Sequence, residues 1–404
     1  MNEPRHLFLL GETGDLSRRG FVTRSCAAAF GCVLGGRVGR ALAAQGVIDG
    51  PPTIDDSYHY YAPNLTEITQ PGPIILPDGT SQRSWSRRPY LDLNFEDASF
   101  LRIRSAQPLR MKKWEMYHMV TPTHYISLLI AWIGYAAFCA ALVYTRKSRE
   151  CLEDIHIRSA YPELAMMRTS AAGRTVYTCK KVRTSFEVNG EVRKLRVDWP
   201  TFADVGLRAK IDLHQPADHE SICATHLTNP KRSHYSHKIN CTTATGEFRL
   251  GDETVRLAPP DAFGMLDFGR GYYPSKMFWY WITASGRDDA GKLIGWNLGH
   301  HNRAFESVEN AVFYDGRLHK IGVCRCQVPK GDLMQPWRVQ SEDGKVDLTL
   351  TPEKVRNVQV DLGSLHSIGR PAFGLYNGHV KLDDGRVIKV RNLFGLYEWI
   401  DQKW

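Results

Sequence analysis

Histidines that could bind a metal are clustered in one segment of this sequence. His226, His234 and His237 lie close together, and His234-x-x-His237 is a spacing that a metal ion can use. The segment is rich in Ser, Lys and Arg, and no further ligand follows at a recognised spacing. A solvated loop is therefore favoured over a metal site, and neither a metal nor a cofactor is predicted.

Carboxyl groups are the second source of candidate chemistry. Asp261, Asp267, Glu306 and Glu309 can supply a general acid and a general base, but the sequence fixes no distance between them. For Asp267 and Arg270, which lie among glycines, a structural salt bridge is favoured over a catalytic pair. The sequence contains no G-x-S-x-G elbow and no phosphate-binding or dinucleotide-binding loop. It therefore predicts no catalytic residue and no enzyme.

An aromatic hairpin follows these carboxyl groups. Aromatic and β-branched residues fill 276–285 and 292–299, and a turn rich in Gly and Asp separates the two runs. Alternation along a strand puts Phe278 on one side and Trp279 and Trp281 on the other. Because both sides are bulky, both are predicted to be covered.

The rest of the chain also reads as strands. Polar and apolar residues alternate, with Asn189-Gly190, Asp315-Gly316 and Asp384-Gly385 as turns. Strands at a spacing of about ten residues predict an antiparallel sandwich or barrel. Helix is expected only in short pieces, near the N-terminus and at 151–167. The predicted divisions are a basic extension with a Pro-rich arm at 1–70, a first β half at 71–240 and a second β half at 241–404.

Residues 125–145 contain no charged side chain. A run of about 20 apolar residues is long enough to span a bilayer as a helix. The run is also rich in Ile, Tyr, Trp and Val and is split by Gly134, which fits two buried strands. Strands are favoured, because the following segments are also β.

Composition limits the class of protein. The chain has 404 residues, of which 43% are hydrophobic and 24% charged, enough for two domains or one large β domain. The net charge of +9 favours anionic surroundings, such as a lipid surface or an acidic partner. No basic block with interleaved aromatics indicates nucleic acid. The nine cysteines have no regular spacing and indicate reduced thiols in an intracellular compartment.

Residues 1–50 are rich in arginine and poor in acidic residues. The segment around Arg18 and Arg19 resembles a twin-arginine export signal, with 41–44 as a cleavage site. Arginines that interrupt and flank the apolar run fit a mitochondrial presequence equally well. Both interpretations remain open from the sequence.

Several motifs resemble the family catalogued as domain of unknown function 2804. They are Leu266-Asp267-Phe268-Gly269-Arg270-Gly271, Trp279-Tyr280-Trp281, Ile294-Gly295-Trp296-Asn297, Glu309-Asn310, Lys112-Lys113-Trp114-Glu115 and Asn240-Cys241. The resemblance runs from about residue 70 to the end. It implies a relationship to lipocalin-like carotenoid hydratases, with antiparallel barrel or sandwich halves and an apolar cavity, but it supplies no established activity. The candidate pocket residues are Asp267, Arg270, Trp279, Trp281, Trp296 and Asn297.

Two departures from the family pattern bear on function. Where the family pattern has polar or acidic residues, this chain has the residues 132–137. Where the pattern has histidines near its end, this chain has the residues 399–401. The resemblance then implies a surface that meets lipid or a partner. Its candidate residues are Arg18, Arg19, Trp132, Ile133, Tyr135 and Phe138.

With its basic extension, the chain also resembles lineage-specific accessory subunits of protist mitochondrial complexes, ATP synthase dimers in particular. The first hypothesis is a non-catalytic accessory subunit at the mitochondrial inner membrane, with other subunits and anionic lipid as partners. The alternative is a lipocalin-like binder of apolar small molecules or a hydratase-type enzyme. An exported protein is a third possibility.

Overall fold

The computed structural model describes most of the chain beyond the N-terminal extension. The described residues are 65–101, 104–159, 164–301, 309–361 and 366–403. Arg18 and Arg19 lie outside them.

Strands make up most of the described chain. The strands that precede the aromatic hairpin are β1 (Thr66–Glu67), β2 (Gly72–Pro73), β3 (Ser84–Ser86), β4 (Leu91–Asp92), β5 (Lys112–Val120), β6 (His124–Trp132), β7 (Ala136–Thr145), β8 (Glu150–Ser159), β9 (Gly173–Thr178), β10 (Arg183–Asn189), β11 (Val192–Trp199), β12 (Leu207–His214), β13 (Ile222–Asn229), β14 (Arg232–Leu250), β15 (Glu253–Leu257) and β16 (Phe263–Gly271).

The aromatic hairpin opens the second set of strands. They are β17 (Lys276–Arg287), β18 (Leu293–His301), β19 (Ala311–Tyr314), β20 (Arg317–Lys320), β21 (Cys324–Gln327), β22 (Trp337–Ser341), β23 (Val346–Val355), β24 (Val358–Asp361), β25 (His366–Gly369), β26 (Ala372–Lys381) and β27 (Val387–Lys403). Short 3-10 helices cover Phe95–Asp97, Arg104–Arg110 and Phe202–Asp204.

These strands form two large sheets. The first has the order β8-β7-β6-β5-β16-β14-β12-β11-β10-β9, with β13, β15, β3 and β1 attached to it. The second has the order β20-β19-β18-β17-β27-β26-β23-β22-β21, with β25 and β24 attached to β27. Pairing is antiparallel except between β1 and β3, and between β2 and β4, which form a separate small sheet. Each large sheet curls into a half-barrel, so the predicted mainly β, antiparallel fold is confirmed.

The uncharged run forms two buried strands, as predicted. It folds into β6 and β7, which pair from Trp132 and Ala137 to His124 and Thr145. Gly134 at the turn has φ +94°, and a Cβ there would lie 2.0 Å from the Leu109 carbonyl oxygen. No helix in the described part of the chain is long and apolar enough to span a membrane.

The helix predicted at 151–167 is wrong for the residues that the structure describes. Glu150–Ser159 is β8, and it pairs with β7 along its whole length. Hydrogen bonding to a neighbouring strand outweighs a weak local helix preference here.

The two sheets meet in sequence at a short connection. The first sheet ends with β16 at Gly271, and the second begins with β17 at Lys276. The predicted boundary between residues 240 and 241 falls inside β14, a long strand of the first sheet.

The first sheet has two covered faces. Its core face carries Tyr117, Phe186 and Leu266, which belong to the largest apolar cluster. Its interface face carries Tyr144 and Met265, among others, and these pack with Trp281, Phe373 and Phe394 of the second sheet. Since side chains alternate along a strand, each strand of this part of the sheet contributes to both faces.

Polar contacts also join the two sheets. The amide nitrogen of Asn240 in β14 lies 3.0 Å from the carbonyl oxygen of Trp296 and 3.1 Å from that of Ala284. At the other end of the interface, Arg356 forms a buried ion pair with Glu153 of β8. The two half-barrels are thus held together by directional bonds as well as by apolar packing.

Candidate active site

A buried group of charged side chains lies where the two sheets meet. Lys238 comes from β14 and Asp267 from β16, while Glu309 precedes β19 and Glu398 lies in β27. The Lys238 ammonium is 2.7 Å from Asp267 Oδ1 and 3.7 Å from Glu309 Oε1. We call these residues the carboxylate–lysine cluster.

The charge on Lys238 is stabilised by this surrounding. Burial alone would disfavour its charged form, but Asp267, Glu309 and Glu398 together raise the pKa of Lys238 above its ordinary value. Three carboxyl groups therefore act on one buried ammonium. Ionisable groups that interact this strongly bind and release protons as a unit.

Asp267 is held through one of its two carboxyl oxygens. Its Oδ1 accepts a hydrogen bond from the Trp114 indole at 3.1 Å as well as the bond from Lys238. Its Oδ2 has no hydrogen-bond partner within the described part of the chain. The Asp267 side chain is 13% exposed, so it is mostly buried but not completely closed off from solvent.

The position of Trp114 depends on a glycine. Trp114 in β5 pairs with Gly269 in β16, and a Cβ at residue 269 would lie 2.3 Å from the indole ring. Without that atom the ring lies across β16 and its N–H points at Asp267. The ring also packs against Tyr273, with ring centroids 4.7 Å apart.

Glu309 is held from the other side by β13 and β14. Ser236 donates a hydrogen bond to Glu309 Oε2, and His226 Nε2 lies 3.3 Å from the same oxygen. His226 is completely buried and its ring stacks on His234 at 4.7 Å. These side chains position Glu309 beside Lys238.

Aromatic side chains of the second sheet cover the cluster. Lys238 Nζ lies 4.6 Å from the centre of the Trp281 ring, a favourable cation–π distance. The Trp281 indole donates to Asn297 Oδ1 at 2.6 Å, and Trp279 donates to Glu398 Oε1 at 2.8 Å. Burial, with a further contribution from Lys238, lowers the pKa of nearby His118 to about 3, so its ring is neutral.

An apolar surface adjoins Asp267. Asp267 is paired with Met116 of β5. In the same row of the sheet, Met116 is paired with Leu129 of β6, and Leu129 is paired with Ala140 of β7. All belong to the interface face, and the apolar cluster there also includes Phe138. An apolar molecule that reached Asp267 would therefore have apolar side chains next to it.

The structure brings four of the six predicted pocket residues together. Asp267, Trp279, Trp281 and Asn297 lie in or against the carboxylate–lysine cluster. Trp296 packs instead in the core of the second sheet, because it is the neighbour of Asn297 in β18 and its side chain lies on the opposite face.

Arg270 does not pair with Asp267. The two residues are three apart in one strand, so their side chains lie on opposite faces, and Arg270 bonds to Glu96 instead. The predicted salt bridge is therefore wrong, and Lys238 takes the place assigned to Arg270.

The histidine segment is not a solvated loop. It forms β13 and the start of β14, and His226, His234 and His237 are all buried. His237 lies on the core face and bonds to Ser170 and Ser221. Within the described residues, no group of three His, Cys, Asp or Glu side chains is arranged for a metal ion.

The other proposed residues have different surroundings. Trp132, Ile133 and Phe138, suggested as a lipid or partner surface, are buried within the chain, and Tyr135 is half-buried with Lys112 Nζ 5.1 Å from its ring centre. Asp261 is exposed, and Glu306 lies outside the described residues.

Lys238 and Glu398 were missed by sequence reasoning. Each is a charged residue within an otherwise strand-like segment, and such a residue is normally assigned to the solvated face. The available signal was the isolated charge of Lys238 shortly before the Asn240-Cys241 motif.

Two open clefts lie away from this cluster. One, of about 650 Å³, runs over the strands β9 to β12 and is lined by Arg183, Arg196 and Arg208; the other, of about 920 Å³, lies beside Pro200 and Leu250. The arginines of the first cleft are half-buried or exposed. The buried ionisable groups of the carboxylate–lysine cluster lie at the sheet interface, which is therefore the stronger candidate.

Comparison with known proteins agrees with the family suggested by the sequence motifs. The model of Domain of unknown function (DUF2804) matches residues 65–404. The chain belongs to the DUF2804 family. No curated protein matches this DUF2804 chain.

Solved structures with a similar fold were also found. A crystal structure of CghA with Sch210972 is 9% identical, with 72% of this chain and 88% of that chain covered and a TM-score of 0.48. Kievitone hydratase from Nectria haematococca is 10% identical, with 76% and 94% covered and a TM-score of 0.44. A putative AttH from Nitrosomonas europaea is 13% identical, with 72% and 92% covered and a TM-score of 0.42.

These findings contradict the first hypothesis from the sequence. The similar structures include a hydratase, and none of those named is an ATP synthase subunit. The interpretation as a non-catalytic accessory subunit of a mitochondrial ATP synthase is corrected accordingly. Mitochondrial or exported localisation and the proposed partners remain predictions.

Proposed function

We propose that this DUF2804 protein is an acid–base enzyme of the hydratase type that acts on an apolar small molecule at the interface of its two half-barrels. The observation that carries the proposal is Asp267. One of its oxygens is fixed by Lys238 and Trp114, the other has no hydrogen-bond partner within the described residues, and the apolar side chain of Met116 is opposite Asp267 in register. A carboxyl group held in this way can exchange a proton with a ligand without losing its own position.

The proposed reaction is addition of water to a carbon–carbon double bond, or its reverse. A proton held by the carboxylate–lysine cluster passes through Asp267 to one carbon of the double bond, which leaves a carbocation at the other carbon. A water molecule attacks that carbon, and the proton that it loses returns to the carboxylate–lysine cluster. The water becomes the hydroxyl group of the product, so no other reactant is consumed.

The aromatic residues fit such an intermediate. Trp114 donates to Asp267 and packs with Tyr273, and Trp279 belongs to the same aromatic cluster, so electron-rich rings lie near the site of proton transfer. A ring face attracts a cation more strongly where water is excluded. Lys238 is the positioning residue for Asp267, and Ser236 and His226 position Glu309.

The test measures whether deuterium or oxygen-18 from labelled water is incorporated into a panel of apolar alkenes and tertiary alcohols. In D₂O or ¹⁸O-labelled water, the wild type is expected to incorporate label into at least one compound, detected by mass spectrometry. Asp267→Asn keeps the shape and the Oδ1 acceptor but cannot act as the acid, so a loss of about 10² to 10⁴-fold in rate is expected.

Asp261→Asn is the matched control, because Asp261 is an exposed carboxyl group shortly before the same strand. It should retain the wild-type rate. The proposal is rejected if the wild type labels none of the compounds, or if Asp267→Asn labels them as fast as the wild type. Binding of an apolar compound without turnover would instead support a lipocalin-like binding protein.

A further inference from the structure

Two open clefts on the first sheet share a pair of arginines. The first, which we call the basic cleft, has a volume of about 650 Å³, and the second, which we call the apolar cleft, about 920 Å³. Arg208 of β12 and Arg249 of β14 line both clefts. Each volume lies within the range of about 300 to 1,000 Å³ that is usual for small-molecule sites. The two clefts therefore adjoin, and the arginines mark where they meet.

The basic cleft lies on a face of the sheet that has more cations than acids. Strand pairing places the charged residues of this face in rows. One row contains three arginines and one carboxylate, Arg183, Asp198, Arg208 and Arg249. The next contains three cations and one carboxylate, Arg196, Lys210, Glu247 and Arg256. A negatively charged group is therefore favoured on this part of the face.

The carboxylates that already pair with the shared arginines do not block a ligand. Arg208 bonds to Asp198 at 3.2 Å, and Arg249 bonds to Asp252 at 3.1 Å. All four side chains are at least half exposed, so water competes with each pair and a ligand anion can replace either carboxylate at little cost. Arg208 and Arg249 are also like charges directly opposite each other in register, an arrangement that an anion between them would stabilise.

The apolar cleft supplies a different kind of contact. Beside the two arginines it is lined by half-buried or exposed apolar side chains, which include Leu152, Pro200, Val205 and Leu250. Val205 is 47% exposed, so an apolar chain that covered it would remove apolar surface from water. Glu150 and Asp252 also line this cleft and repel an anion. A negatively charged head group is therefore directed to the basic cleft, while an apolar chain fits the apolar cleft.

We propose that the two adjoining clefts bind an amphiphile, a molecule with an anionic head group and an apolar chain. The head group, a phosphate or a carboxylate, lies between Arg208 and Arg249 on the side of the basic cleft. The chain extends over Val205 and Leu250. A simple anion would leave the apolar cleft uncovered, whereas one amphiphile matches both the charge and the apolar surface. Because both clefts lie away from the carboxylate–lysine cluster, this binding does not depend on the proposed reaction.

The experiment is calorimetric titration of the full chain with decyl phosphate and, separately, with decanoate, below the concentrations at which they form micelles. Inorganic phosphate and decyl maltoside, which has an uncharged head group, are titrated in the same way. At least one of the two anionic amphiphiles should bind about tenfold or more tightly than either of these comparison compounds, because each comparison compound makes only one of the two kinds of contact.

Three substitutions test where the ligand lies. Arg208→Gln and Arg249→Gln each remove one charge-assisted bond, so the affinity for the amphiphile should fall by about fivefold or more. Val205→Asp places a charge beside the apolar chain and should lower the affinity by a similar factor. Arg338→Gln is the matched control, because the Arg338 side chain is 53% exposed and pairs with Asp347 on the second sheet. It should leave the affinity unchanged.

The inference is overturned if neither amphiphile binds the wild type, if inorganic phosphate or decyl maltoside binds equally well, or if Arg338→Gln weakens binding as much as Arg208→Gln. Binding to vesicles of anionic lipid without binding of either soluble amphiphile would also overturn it, because the face would then meet a membrane surface. If Val205→Asp does not fold, the two arginine variants and the comparison compounds decide the matter.

Discussion

Lys238 and Glu115 show two different outcomes for a charged residue buried in the same sheet. Lys238 on the interface face keeps its charge, because carboxyl groups surround it and raise its pKa. Glu115 on the core face has fewer compensating groups. Burial raises the pKa of Glu115 to about 8, despite the hydrogen bond from Thr175 and the charge of Arg193. Glu115 is therefore protonated in the folded protein at neutral pH.

This protonation predicts a pH dependence of stability. Between its ordinary pKa of 4.5 and about 8, Glu115 binds a proton in the folded chain but not in the unfolded chain. Its contribution to stability is complete below the lower value and is lost as the pH rises through about 8. Glu115→Gln removes this titration while keeping an oxygen that can accept the bond from Thr175.

The measurement is the free energy of unfolding in urea from pH 5 to 9, for the wild type and Glu115→Gln. Relative to the variant, the wild type should become steadily less stable as the pH rises. Taking the difference removes the opposite contribution of buried histidines such as His118, whose pKa is lowered. A difference that does not change with pH would show that Glu115 is ionised in the folded chain.

At the scale of the element, β16 supplies residues to both faces of the first sheet. Its alternation sends Asp267 to the interface face and Arg270 to the core face. Gly269 lies between them and leaves room for the ring of Trp114. A single strand thus carries the proposed catalytic carboxyl group on one face and a buried arginine on the other.

Replacing Gly269 by alanine tests the role of that space. The new Cβ would lie 2.3 Å from the Trp114 ring, so the indole must move away from Asp267. We expect Gly269→Ala to destabilise the fold by about 1–3 kcal/mol, measured by urea unfolding. Labelling of the substrate should fall as well, because Asp267 loses a positioning hydrogen bond.

Gly72→Ala serves as the control for this substitution. A Cβ at residue 72 would meet only the end of the Gln82 side chain at 3.4 Å, an ordinary contact. Stability and labelling should both stay at the wild-type level. If Gly269→Ala behaves in the same way as Gly72→Ala, the packing of Trp114 on β16 does not control Asp267.

At the scale of the whole molecule, the proposed active site exists only while the two half-barrels stay together. Lys238 and Asp267 belong to the first sheet, whereas Trp281 and Glu398 belong to the second. The ion pair between Arg356 and Glu153 joins the same two sheets and is nearly completely buried. Loss of this ion pair is therefore expected to lower the stability of the fold and to disturb the arrangement of the carboxylate–lysine cluster at the same time.

Arg356→Met tests this coupling. The substitution leaves Glu153 buried without its cation, which costs about 3–5 kcal/mol. Arg338→Met removes an arginine from an exposed pair with Asp347, for which a cost of at most about 1 kcal/mol is expected. The free energy of unfolding of each variant is measured by urea unfolding monitored by tryptophan fluorescence. Equal stability of the two variants would show that the buried pair does not hold the sheets together.

The sequence by itself determined the fold class and many local elements. Alternation of polar and apolar residues, with Gly at the turns, was enough to place the aromatic hairpin and the two strands at 125–145. These features depend on residues close together in the chain, so their pattern is visible in one dimension. The same is true of the motifs around Asp267 and Trp114, which carried the family resemblance.

Only the tertiary structure decided which residues meet. Lys238 lies far from Asp267 in sequence and reaches it because β14 pairs with β16, while Glu398 arrives from the last strand of the second sheet. Arg270, the nearer cation in sequence, points to the other face because side chains alternate. Distances across paired strands depend on the register of the whole sheet, and no local pattern encodes them. For that reason the sequence predicted no enzyme, although it contained most of the proposed active site.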